Sequence, residues 1–119
     1  MSEQFTQANA SEYSKHYSDS ELQNKLQTSK WGVGRKLYYN VLLLWYVLKE
    51  PTTPWAHKAI ILGALGYFIL PIDAVPDFIP ALGFADDAAA IAIAIKTVSD
   101  NITPEIRRKA EEQVNKAFD

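Results

Sequence analysis

The chain has 119 residues, 48% hydrophobic and 22% charged, a composition that gives one globular domain with a single core and rules out a disordered tail. Twelve Lys and Arg against fourteen Asp and Glu leave a formal charge of -2, so there is no basic excess to suggest nucleic acid or a polybasic membrane anchor. With no cysteine, disulfides, thiolate metal sites and a cysteine nucleophile are excluded.

Taken in chain order, Met1 to Ala10 is polar and lacks the basic and apolar regions of a signal peptide, so a cytoplasmic location is expected. Ser18-Asp19-Ser20-Glu21 reads as a capping box, followed by Leu22 and Leu26 four apart. A short amphipathic helix to about Thr28 follows, and the Tyr13/Tyr17 spacing allows it to start near Ser11. Trp31-Gly32-Val33-Gly34 should break it. Arg35 to Lys49 is then the first apolar helix, with Leu37, Val41, Leu44, Trp45 and Leu48 on one face and Pro51 ending it.

Thr53 as N-cap and Pro54 as first residue predict a second apolar helix to about Leu70. Ala56, Ala59, Gly63 and Gly66 put four small residues on one of its faces, a stripe that lets another helix approach closely. The expected partner is a third, alanine-rich helix from Ala85 to about Asp100. Its Ile91 to Ile95 alternate as a strand would, but length, alanine content and the acidic start favour a helix. Thr103-Pro104-Glu105 opens a last helix with Ile106, Ala110, Val114 and Ala117 inward and Arg107, Arg108 and Lys109 forming a solvated face. The expected fold is all-α, a four- to five-helix bundle around an antiparallel hairpin of the second and third apolar helices. Its parts are a polar extension (1–36), a helical core (37–102) and an amphipathic C-terminal helix (103–119).

The hairpin connection carries the chemistry. From Pro71 to Asp87 the chain holds three of the six prolines, Pro71, Pro76 and Pro80, and four carboxylates, Asp73, Asp77, Asp86 and Asp87. The prolines push Leu70, Val75 and Ile79 out of helical backbone, giving a rigid connection. Between Lys58 and Lys96 no Lys or Arg occurs, so something other than a local cation must stabilise these acids, although Lys58 could reach back to one of them. The uncharged runs beside them stop at fourteen residues, short of the ~20 a spanning helix needs, which favours a soluble core over insertion.

Tyr67, Pro71-Ile72-Asp73, Val75-Pro76-Asp77-Phe78-Ile79-Pro80, Gly83 and Asp86-Asp87, with Pro54 and Lys58 upstream, resemble the YkvA-like domain of unknown function found in many bacterial proteins. The resemblance covers about residues 37–99. It implies an all-helical domain, often membrane-associated, with no established reaction to transfer.

The aspartates admit several roles. As structural groups, Asp86 or Asp87 would cap the third helix and Asp73 and Asp77 would accept backbone N–H groups in the proline turns. As metal ligands, the four would hold magnesium, manganese or calcium, although the spacing is not that of an EF-hand. A proton-sharing pair, or recognition of a partner's basic group, is the third option. His57 reads as a surface or packing residue. Trp45, Trp55, Tyr38, Tyr39 and Tyr46 fit a core better than an interfacial belt. With no serine between residues 37 and 95 and no glycine-rich phosphate loop, a Ser-His-Asp nucleophile and a phosphate cradle are not expected, and only His57 or a spare aspartate is available as a general base. These features favour a noncatalytic module that binds a protein partner or a membrane surface, in the cytoplasm or peripheral to the inner face of the membrane. The alternative is a divalent-metal-dependent, hydrolase-like enzyme using the aspartate cluster.

Overall fold

Side-chain caps at Ser18 and Thr103 decide where two of the helices begin. The computed structural model describes residues 5–69 and 80–119; the side chains of Ser29 and of residues 80–87 lie outside the description. The described residues form α1 (Ala10–Ser14), α2 (Asp19–Val33), α3 (Arg35–Lys49), α4 (Trp55–Ile69), α5 (Pro80–Thr97), a 3-10 turn (Ser99–Asn101) and α6 (Pro104–Phe118), with no strand among them. The all-α expectation holds, with more helices than the four or five expected.

The extra helix comes from the N-terminal segment. Ser18 is extended (φ -152°, ψ 143°) and its Oγ accepts the Glu21 N–H at 3.1 Å, so α2 starts afresh there and α1 stays separate. α2 also runs past Trp31 and Gly32, where a break was expected. A glycine inside a helix costs only ~1 kcal/mol. Gly34, the last residue of the segment expected to break it, stops it: its φ of +89° is a backbone that L side chains rarely adopt, and its N–H closes the helix onto the Lys30 carbonyl at 2.9 Å. α6 starts as expected, the Ile106 N–H donating to Thr103 Oγ1 at 3.1 Å. Thr53 does not cap α4. Its buried hydroxyl donates back to the Val47 carbonyl at 2.7 Å and finishes α3, while the Pro54 carbonyl accepts the first α4 bonds from His57 and Lys58.

α3 lies at the centre, packed against α2, α4, α5 and α6. Burial on several sides explains why its core face is broader than one stripe. Tyr38, Val41, Leu42, Leu43, Leu44 and Val47 are buried, whereas Leu37, Trp45 and Leu48 sit half-buried at the edge. Phe5, Ala10, Leu22 and Leu26 from the N-terminal third and Ile106, Ala110 and Val114 from α6 join the same core. Leu22 and Leu26, fully buried, contribute ~1.5–3 kcal/mol each.

The small-residue stripe of α4 does draw a helix into close approach, but the helix is α1 and not α5. A Cβ on Gly63 would lie 2.5 Å from the Ala10 carbonyl oxygen and 2.6 Å from the Ala10 Cβ. One on Gly66 would lie 2.8 Å from the Tyr13 carbonyl carbon and closer still to its oxygen. Ala56 is exposed and Ala59 half-buried, so only the glycine half of the stripe is used. α5 packs on α4 as well, without filling this face.

Candidate functional site

In sequence the C-terminal half of α4 precedes the proline and aspartate segment, and α1, Phe5 and Lys25 pack against that half of the helix. α1 covers Gly63 and Gly66. The rings of Phe5, Tyr13 and Tyr67 pack edge-on or tilted, with centroids 4.8 Å apart for Tyr13 and Tyr67 and 5.9 Å for Phe5 and Tyr67. Lys25 of α2 donates to the Phe68 carbonyl and stands 4.5 Å over the Phe68 ring. That carbonyl belongs to the last turn of α4, where the helix has spare acceptors and its dipole is negative, so the ammonium is well matched to it.

Of the residues the sequence nominates, Pro71, Asp73, Pro76 and Asp77 lie outside the described residues. Pro80, Gly83, Asp86 and Asp87 are on α5, their side chains outside the description. One correction follows from the backbone alone. α5 starts at Pro80 and not near Ala85, so Asp86 and Asp87 stand in its second turn, beyond the first four N–H groups that a cap serves. A proline at the first position explains the earlier start, because its fixed φ suits a helix and its missing N–H costs nothing there. Lys58 sits in the first turn of α4, at the end farthest from the proline and aspartate segment. The cation found at the near end is Lys25, 43 residues before the carbonyl it meets. Among the described residues no group of three His, Asp or Glu could hold a metal ion, and no helix is long and apolar enough to cross a membrane.

Two polar clusters complete the picture. Asp19 receives the Tyr17 hydroxyl, the Lys49 ammonium at 2.9 Å and the Trp45 indole N–H at 3.3 Å, tying the start of α2 to the end of α3. The Tyr17 and Lys49 hydrogen bonds hold the Asp19 carboxyl below the usual carboxylate range, while burial and the adjoining carboxylate push the Tyr17 phenol up. His57 is half-buried, its Nδ1 2.7 Å from Asn101 Oδ1, which is a packing role. Tyr38 is buried and Tyr39, Trp45 and Tyr46 half-buried as a core requires, but Trp31 and Trp55 are 75% and 72% exposed.

Residues 57–93 match the model of a family described as a protein of unknown function (DUF1232). The matched stretch is a little under a third of the chain and runs from the first turn of α4 to Ile93 in α5, so all four aspartates fall within it. α1, α2, α3 and α6 lie outside it. Neither among curated proteins nor among solved structures does anything match the chain.

Proposed function

We propose that this protein is a noncatalytic interaction module whose α4 offers its glycine face to an apolar helix, with α1 acting as the chain's own occupant of that face. The observation that carries the reading is the backbone-level contact of Ala10 and Tyr13 with Gly63 and Gly66. A five-residue helix is far too short to be stable alone, so α1 forms where it docks, as a bound peptide does. It comes from outside the family-matched stretch, which leaves the matched α4 able to take the same helix from another chain. The narrower assignment to the YkvA-like family rests on the proline and aspartate motif, and the family match over the same residues supports it.

The test separates docking from folding. Ala10→Arg in the full chain, or Tyr13→Ala if the first variant folds poorly, should release α1, seen as collapse of the amide signals of residues 5–17 to unstructured positions. A synthetic peptide with the sequence of residues 5–17 should then bind saturably and raise the melting temperature towards that of the parent. Release of α1 with no saturable peptide binding would refute a receptor face. Sedimentation with anionic lipid vesicles, equal in parent and variant, would instead favour a membrane surface as partner.

A further inference from the structure

We infer that the groove between α2, α3 and α6 is a binding site for a small anionic molecule with a flat aromatic body. The groove encloses a cavity of about 480 Å³, within the usual range for small-molecule sites. It lies outside the family-matched stretch and away from α1, so it does not depend on the helix-docking reading.

Helical periodicity builds it. Gln23, Gln27 and Lys30, spaced four and three apart, form one wall from α2. Gln113, Lys116 and Ala117 form the facing wall from α6. The floor is α3, with Tyr38, Leu42, Trp45 and Tyr46. Lys30 spans from wall to wall, donating to the Ala117 carbonyl at 2.6 Å and closing that side with a positive charge.

The charge and chemistry of the lining select the ligand. Lys30 and Lys116 are the ionic residues of the lining, which contains no carboxylate. Asp19, the acid nearest the Trp45 indole, is taken by Tyr17 and Lys49, and Glu112, which acts on Tyr46, is paired with Arg108 at 3.1 Å. The floor offers ring surface, with Trp45 and Tyr46 packed edge-on at 5.1 Å. An anion near Lys116 with an aromatic body over Trp45 and Tyr46 would meet the lysines and the glutamine amides together.

Titrating the isotope-labelled full chain with 2-naphthoate, and separately with neutral 2-naphthylmethanol, tests the assignment by amide and indole chemical shifts. Naphthoate should bind saturably, with shifts confined to residues 23–30, 38–46 and 113–117 and the Trp45 indole, and about tenfold more tightly than the alcohol. Lys116→Gln, an exposed change, should remove most of that preference. Equal binding of the two probes, shifts that map elsewhere, no saturable binding at millimolar naphthoate, or a preference untouched by Lys116→Gln would each overturn it.

Discussion

Replacing Gly66 by Ala sets two physical effects against each other. In an isolated helix the change gains ~1 kcal/mol, because alanine loses less backbone freedom. Here the new methyl meets main chain: it would fall 2.8 Å from the Tyr13 carbonyl carbon, nearer its oxygen, and 3.4 Å from the Tyr17 nitrogen. A side chain could swing away, but a backbone can yield only if α1 moves as a body. Overpacking of this kind costs ~1–3 kcal/mol, and backbone on backbone belongs at the upper end. Lifting α1 also loosens the Tyr13–Tyr67 and Phe5–Tyr67 ring contacts, worth ~0.5–1.5 kcal/mol each. After the intrinsic gain is subtracted and the freed segment recovers some entropy, a net loss of ~1–2 kcal/mol is expected, a fall in melting temperature on the order of 4–8 °C. Gly63→Ala should change in the same direction by less, since its nearest contact is the wider 2.5 Å to the Ala10 carbonyl oxygen. Thermal and urea unfolding of both variants measures this. Melting at or above the parent would mean that propensity wins and that α1 does not lie on this face.

Lys25→Met should lower stability by ~0.5–2 kcal/mol by uncapping α4, with Lys25→Arg keeping part of it; equal melting of Lys25→Met and parent would argue against the cap. Asp19→Asn should cost no more than ~0.5–1 kcal/mol at pH 7, because its pair with Lys49 is half exposed. Since that carboxyl is held below its ordinary 3.8, its contribution is present above that pH and lost as pH falls through the lowered value, so parent and variant should converge in acid. Tyr17 is raised from 10.0, so its contribution is complete below pH 10 and declines above it; urea midpoints across pH check both signs. For the aspartate segment, magnesium or manganese should leave the melting temperature unchanged. A cation-dependent rise, ~2.7 kcal/mol at a hundredfold excess over the dissociation constant and abolished by Asp77→Asn or Asp87→Asn, would turn attention to a metal-dependent activity.

Local rules were legible where one residue sets the outcome. Arg35 and Lys49 bound α3 as read from the sequence, and Ser18 and Thr103 cap as expected, because capping needs only neighbours within a turn. The glycine stripe announced a close approach but not its partner. α1, at five residues, leaves only the Tyr13/Tyr17 spacing as a signal, which reads as an extension of α2, and Phe5 looks like a lone apolar residue in a polar flank until it meets Tyr13 and Tyr67. Lys25 escaped for a related reason: its acceptor is a backbone carbonyl, which leaves no mark in the sequence, on a helix 43 residues away. The groove is also a product of packing, since Gln23, Tyr38 and Lys116 belong to three ordinary amphipathic faces until α2 and α6 come to flank α3.

The two lysines of α2 have a consequence for how the molecule comes apart. Lys25 holds the end of α4 and Lys30 the end of α6, so a single helix closes the negative poles of two others. If α2 detaches, both ends fray at once, and neither can be regained until it returns. Partial opening is thereby penalised twice, which favours one cooperative transition over the sequential peeling that short helices joined in series would otherwise allow.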